Sequence, residues 1–346
     1  MKTLRIGTRG SALALWQSRH VAGLLARILP GLDVSLVEIS SLGDRVTNVP
    51  LSHVEGTGFF TASIEQALLA KDVDIAVHSY KDLPVESTPG LVVAAVPQRG
   101  PVEDVLCARD RKTLATLVPG ARVGTCSARR TAQIRMLRDD LDIVPLRGNV
   151  PTRVARINED LDAIVLARAG LVRLELDAAI SEIFATDQIL PAPAQGAMAI
   201  QCRADDRDLI LRLSALNHGP TRRAVDAERA MLHALGGGCS VPVGGLATAS
   251  DQGIHLEAGV FSLGANPAVR TKEIGAYPEE VGKRAAHDLM ARGAAAILAE
   301  FDGIRGSGPF GPDRPQLVGP GESRGHNTWG SGGPNGPDPL TGAKNS

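Results

Sequence analysis

Two short stretches of this chain are near copies of each other, and they constrain the fold more than any other feature. Arg5-Ile6-Gly7-Thr8-Arg9-Gly10-Ser11 and Arg122-Val123-Gly124-Thr125-Cys126-Ser127 each read as a buried strand, a Gly-Thr turn, small polar residues and then a helix. A second echo links Asp74-Ile75-Ala76-Val77 with Asp162-Ala163-Ile164-Val165. This second pair lies closer together in sequence than the first, and a long loop at 43–60 in the earlier copy accounts for the difference. Repeated strand–turn–helix units predict two similar α/β domains facing each other, with sites at equivalent strand ends.

Periodicity fills in the rest. A helix is expected over 12–29, capped by Ser11 and ended by Pro30-Gly31, with Leu13, Trp16, Leu24, Leu25 and Ile28 on its apolar face. A strand over 33–39 and helices over 61–70 and 110–118 follow. Pro191-Ala192-Pro193-Ala194-Gln195-Gly196 reads as a hinge or domain boundary. From Pro220 the pattern becomes α+β: a helix over 221–235, strands over 241–249, 255–263 and 270–276, and one closing helix over 278–301. Beyond Gly303 the chain is rich in Gly, Pro, Ser and Asn, the composition of a disordered tail. The expected domains are 1–99 with 194–216, then 100–193, then a small one at 217–303, with the tail at 304–346.

Bulk properties exclude several classes. A net charge of −1 argues against a general binder of nucleic acid or of membrane surfaces, and 3% aromatic content argues against base-stacking platforms. Cys107, Cys126, Cys202 and Cys239 lie far apart, so neither a zinc signature nor a disulfide frame is expected. No metal-ligand cluster, Walker loop or G-x-G-x-x-G is present. The start of the chain runs straight into a strand pattern, and no apolar run reaches membrane-span length, so a cytoplasmic location is expected.

Three constellations carry chemistry. The first is His78-Ser79-Tyr80-Lys81-Asp82-Leu83-Pro84, where an apolar strand ends in a charged turn. In open α/β sheets ligands bind at such strand ends, although this stretch alone slightly favours a solvated turn with a local Lys–Asp pair. The second is a set of arginines at strand-to-helix turns, Arg9, Arg129, Arg130, Arg147 and Arg153. Guanidinium groups beside unpaired helix N–H donors suit bidentate capture of carboxylates or phosphates, and their shared placement favours a polyanionic ligand over ordinary surface arginines. The third is Gly236-Gly237-Gly238-Cys239-Ser240, where glycines clear bulk around a thiol. From these residues alone a helix C-cap beside a packed cysteine is the better reading, since most lone cysteines are packing residues.

In the order they occur, Thr8-Arg9-Gly10-Ser11-Ala12-Leu13-Ala14-Leu15-Trp16-Gln17, His78 to Pro84, Gly124-Thr125-Cys126-Ser127-Ala128-Arg129-Arg130, Leu146-Arg147-Gly148-Asn149-Val150, Gln195-Gly196-Ala197 and Gly237-Gly238-Cys239-Ser240-Val241-Pro242 resemble the porphobilinogen deaminase (hydroxymethylbilane synthase) family, over about residues 4 to 302. The resemblance implies two periplasmic-binding-protein-like doubly wound domains plus a small α+β third domain. It implies a dipyrromethane cofactor tethered to Cys239 by a thioether, and a transferase that condenses four porphobilinogen molecules head to tail, with loss of ammonia, into 1-hydroxymethylbilane. Porphobilinogen and the growing polypyrrole chain would be the partners of a monomer. Carried over residue by residue, Asp82 would be catalytic. Arg9, Ser11, Lys81, Thr125, Ser127, Arg129, Arg130, Arg147 and Arg153 would bind cofactor or chain carboxylates, and Gln17, Phe60 and Gln195 would line the cleft or hinge. Thr57 stands where many relatives carry Lys, and Cys126 where Ser is usual. A non-enzymatic two-lobed anion binder is the competing reading, and it needs no Gly-flanked cysteine.

Overall fold

In the computed structural model, residues 3–40, 61–238, 241–264 and 266–307 are described. The 43–60 loop with Thr57 and Phe60, the Cys239-Ser240 pair and residues 308–346 lie outside them.

The two echoes occupy neighbouring strands in each of two five-stranded sheets. In the first, β1 (Leu4–Thr8) lies between β2 (Val34–Glu38) and β3 (Ile75–Ser79), parallel to both. In the second, β6 (Arg122–Gly124) lies between β7 (Asp142–Val144) and β8 (Ala163–Ala167), again parallel. Registers match as well: Gly7 pairs with Ala76 and Gly124 with Ile164. A β-carbon at Gly7 would fall 3.0 Å from Val73 Cγ2, and one at Gly124 would fall 2.8 Å from Leu161 Cδ1. The echo therefore keeps glycine where a strand end is crowded by a neighbouring side chain.

Each sheet is completed by a strand that arrives from the other lobe. The chain leaves the first sheet after β4 (Leu91–Ala95) and enters the second as β5 (Asp104–Ala108), antiparallel to β8 and to β9 (Glu182–Ile183). It returns as β10 (Met198–Arg203), antiparallel to β3 and β4. The strand orders are β2-β1-β3-β10-β4 and β7-β6-β8-β5-β9. The two crossings touch at Gly100 and Gly196, where Gly100 N donates to Gly196 O at 3.1 Å. Gly196 has φ +83°, and a β-carbon there would lie 2.5 Å from Pro101 O.

Helix α1 (Ala12–Ile28) starts where Ser11 Oγ accepts from Ala14 N at 3.3 Å, and α3 (Ala128–Leu137) where Ser127 Oγ accepts from Arg130 N at 3.4 Å. The face of α1 that is buried is Gln17, Ser18, Val21 and Leu25, rotated from the apolar face read in the sequence. Trp16 is turned toward the second lobe instead. The expected 61–70 helix is α2 (Ala62–Leu69), and α4 (Val150–Ala155) and α5 (Arg168–Arg173) complete the second lobe. The expected helix at 110–118 is absent. Asp110 and Arg111 adopt positive φ (56° and 53°), and Arg111 donates to Ala178 O and Ile180 O. Only two short 3-10 turns form there, because tertiary contacts hold the segment as a loop.

After α6 (Arg207–Ser214) comes the third unit. Helix α7 (Gly219–Ala234) and α8 (Pro278–Ala291) pack on an antiparallel sheet of β11 (Val243–Ser250), β12 (Gly253–Val260) and β13 (Val269–Gly275). Its core includes Met231, Leu256, Val260, Val281 and Leu289. The single closing helix expected over 278–301 is two helices, broken at Gly293 (φ +103°). The second, α9 (Ala294–Ser307), runs a few residues past the border drawn at Gly303.

Candidate functional site

β3 delivers the charged turn. Ile75, Ala76 and Val77 are buried, the chain tightens into a 3-10 turn at Tyr80–Asp82, and Asp82 emerges exposed. His78 does not join it. Its Nε2 lies 3.0 Å from Gln201 Oε1, Gln201 Nε2 donates to Glu65 Oε1 at 2.8 Å, and burial lowers the imidazole pKa against the opposing fields of Glu65 and Asp82. Gln17 Nε2 donates to Ser79 Oγ at 2.8 Å, tying α1 to the end of this strand.

The third unit clamps the turn from behind. Arg229 on α7 stacks on Tyr80, 4.4 Å from the ring centroid. It donates to Leu83 O (3.1 Å) and Pro84 O (2.6 Å), and its Nη groups also reach Tyr80 O and Val85 O. One guanidinium thus fixes the backbone on both sides of Asp82.

Lys81 points to the hinge. Its Nζ donates to Gln195 Oε1 at 3.3 Å. Burial pushes the ammonium down to about 8, Arg130 and Arg129 add to this, and Asp82 and Asp104 oppose it. Gln195 is fully buried and donates from Nε2 to Val102 O (2.7 Å) and Asp104 Oδ1 (3.1 Å).

On the second lobe, Arg129 and Arg130 are both buried on one carboxylate. Arg129 Nη1 donates to Asp104 Oδ2 and Leu190 O, both at 2.7 Å. Arg130 donates to Asp104 Oδ1 from Nε (3.0 Å) and Nη2 (2.7 Å), and to Val165 O from Nη1 (3.0 Å). Burial alone would raise the Asp104 carboxyl pKa, but the two guanidinium groups hold it well below the usual carboxylate range. Arg153 is half-buried, and its Nε donates to Gly148 O at 2.6 Å. Burial and Arg130 lower its pKa, while Cys126 and Asp82 act in the other direction. Arg153 of the second lobe therefore lies within the field of Asp82 of the first. Arg9 and Arg147 are half-buried at the ends of their strand-to-helix turns. Thr125 Oγ1 accepts from Ser127 N at 3.2 Å, and the Cys126 thiol donates to Leu146 O (3.0 Å) and accepts from Leu146 N (3.1 Å), tying that turn to the Arg147 turn. Cys107 and Cys202 are buried in strands, and burial raises their thiols to about 12 and about 11.

Sequence reading missed several of these groups. Asp104 opens an apolar strand, where an acidic residue is a legible anomaly. Glu228 falls on the buried face of α7 with Ala224, Val225, Ala227, Met231 and Leu232, a signal helical spacing could have exposed. It accepts from both Nη groups of Arg99 (2.6 and 3.0 Å), from Ala194 N (2.6 Å) and from Ala247 N (2.7 Å), joining both crossings to the third unit. Arg173 on α5 donates to Gly196 O at 2.7 Å and lies 5.7 Å over Trp16 of α1, a contact between the lobes. Burial pushes its guanidinium down to about 10.

Known proteins match this chain along nearly its whole folded length. The family profile described as "Porphobilinogen deaminase, dipyromethane cofactor binding domain" matches residues 4–211, and "Porphobilinogen deaminase, C-terminal domain" matches residues 223–291. The chain belongs to the porphobilinogen deaminase family. Porphobilinogen deaminase of Syntrophomonas wolfei subsp. wolfei is 45% identical over 303 residues, covering 87% of this chain and 99% of its own. That of Xanthomonas oryzae pv. oryzae is 46% identical over 302 residues (86% and 99%), and that of Brevibacillus brevis 44% over 298 residues (86% and 96%). An ABC transporter periplasmic substrate-binding protein from Coxiella burnetii is 16% identical, at a TM-score of 0.40, over 63% of this chain and 93% of its own. Membership assigns this chain the family's transferase chemistry: polymerisation of porphobilinogen in tetrapyrrole biosynthesis, on a dipyrromethane cofactor. Among the described residues, no helix is long and apolar enough to cross a membrane.

Proposed function

We propose that Asp82 is the catalytic carboxylate, that Cys239 is the attachment point of the dipyrromethane, and that the cations of both lobes hold the carboxylates of the growing chain. The domains in this reading are 1–99 with 194–216, which carries Asp82, 100–193, which carries the arginine set, and 217–303, which carries Cys239. The observation that carries the reading is the exposed Asp82 on a turn clamped by Arg229, with the neighbouring Lys81 joined through Gln195 and Asp104 to Arg130 of the second lobe.

The residues fit the cofactor's chemistry. A dipyrromethane brings several carboxylates, which call for cations, and pyrrole N–H groups, which call for an acceptor. Lys81, Arg130, Arg147, Arg153, Arg9 and the Ser11, Thr125 and Ser127 hydroxyls form the first set, and Asp82 is the second. Bound through Cys239, the cofactor supplies the free pyrrole α-carbon from which the chain grows. The Asp82 carboxylate accepts from the pyrrole N–H of incoming porphobilinogen, stabilises the positive charge that develops as ammonia departs, and takes the proton released when the new C–C bond forms. It suits that role because it is exposed while its turn is held rigid by Arg229. Lys81, still a cation at neutral pH, orients an acetate or propionate beside it. Gln17 holds Ser79 at the start of this turn and Gln195 holds Lys81 within it, and Phe60 would line the cleft. We infer a monomer, as the family resemblance implies, acting in the cytoplasm.

The test is Asp82→Asn. Turnover is expected to fall by about a thousandfold, with the intact mass still carrying one dipyrromethane and the melting curve unchanged. A wild-type mass equal to the bare polypeptide, or unaltered turnover in the variant, would sink the assignment.

A further inference from the structure

One buried carboxylate ties together cations that belong to different lobes. Asp104 is the first residue of β5, is 0% exposed, and uses both oxygens: Oδ2 for Arg129, Oδ1 for Arg130 and for the amide of Gln195. Gln195 lies on the returning crossing, and its other amide atom accepts from Lys81 of the first lobe. The result is a continuous relay, Lys81–Gln195–Asp104–Arg130, running from one wall of the cleft through the hinge to the other. A carboxylate placed only to neutralise a buried arginine needs neither a second arginine nor a hinge amide. Here one negative charge bonds two arginines and reaches a lysine through an amide, so positive charge is left for an anionic ligand while its geometry is set from beneath.

We propose that Asp104 is a positioning residue of the polymerisation: it holds Arg130 directly and Lys81 through Gln195, setting the spacing of carboxylate-binding cations across the two lobes. This rests on the reading that those cations face the chain. Asp104 itself touches no substrate. The charged groups acting on Lys81 are Asp82 on its own turn, Arg130 and Arg129 from α3, and Asp104 from β5. Of these, Asp104 and Asp82 favour the ammonium. Replacing Asp104 by Asn removes one and leaves the arginine repulsion less opposed, so Lys81 should lose its proton at lower pH.

The experiment uses the full holoenzyme, checked for its dipyrromethane by intact mass, with Asp104→Asn, Asp104→Glu and Gln195→Met. Lys81 is acylated in brief pulses across pH and its modification followed by peptide mass, alongside KM and kcat for porphobilinogen. Asp104→Asn should move the acylation midpoint down by about one pH unit and raise KM about tenfold with a smaller change in kcat. Asp104→Glu should keep the midpoint and still raise KM, because charge survives and geometry does not. Gln195→Met leaves the arginine pairs intact, so it decides the matter should Asp104→Asn fail to fold, and it should shift the same midpoint in the same direction. A folded Gln195→Met with wild-type midpoint and KM overturns the relay. Failure of the underlying reading looks different: the wild type would lack the adduct, or Asp82→Asn would turn over normally.

Discussion

The two lobes begin with the same local design and then part ways. Ser11 and Ser127 cap their helices with the same geometry, and Gly7 and Gly124 meet the same crowding. The difference lies in the strand that arrives from the other lobe. β10 opposes the end of β3 with Met198 against Ser79, whereas β5 opposes the end of β8 with Asp104 against Ala167. In the second lobe that carboxylate binds two arginines, and Arg129 is left 3% exposed. In the first lobe the equivalent position is apolar, and Arg9 stays half-buried at the turn. The crossing strand thus sets whether arginines near the capped turn are buried on a carboxylate, as in the second lobe, or left half-buried, as Arg9 is.

Removing the inward charge should break this contrast most sharply. Arg129→Met leaves Asp104 short of a partner in a dry site and should cost about 3 kcal/mol in urea unfolding. Arg9→Met, at the half-buried turn arginine of the first lobe, should cost under about 1 kcal/mol and act instead on KM. Equal stability losses would mean that the lobes are alike after all. The shared part of the design is probed by Ser11→Ala and Ser127→Ala. Each removes one N-cap and should cost about 1 kcal/mol, with the two midpoints falling by similar amounts. The gentlest probe is pH. Lys81 titrates near 8, below an unfolded lysine, so above that point the unfolded chain binds the extra proton. Raising pH from about 8 toward the ordinary lysine value near 10.4 should therefore increase the Lys81 contribution to stability while weakening carboxylate binding. Stability and KM, measured over the same range, should rise together.

Much of this was legible along the chain. The echoes predict the paired sheets because strand pairing and helix capping depend on residues adjacent in sequence. Asp82, Lys81 and the turn arginines could be picked out because anion sites gather at strand ends. The helix expected at 110–118 was misread because contacts with 178–180 overrule its weak periodicity. The buried face of α1 was misread because Gln17 and Ser18 are buried in place of Trp16, and Gln17 is held by Ser79.

Sequence by itself determined the family, the two repeated lobes and the residue types of a polyanion cleft, since these reside in local motifs. Tertiary structure alone decided that Arg129 and Arg130 share Asp104, that Arg229 braces the Asp82 turn and that Glu228 joins three units at the hinge. The physical reason is that a charge becomes structural only when partners distant in the chain exclude water around it, and no local pattern records which distant segment will do so.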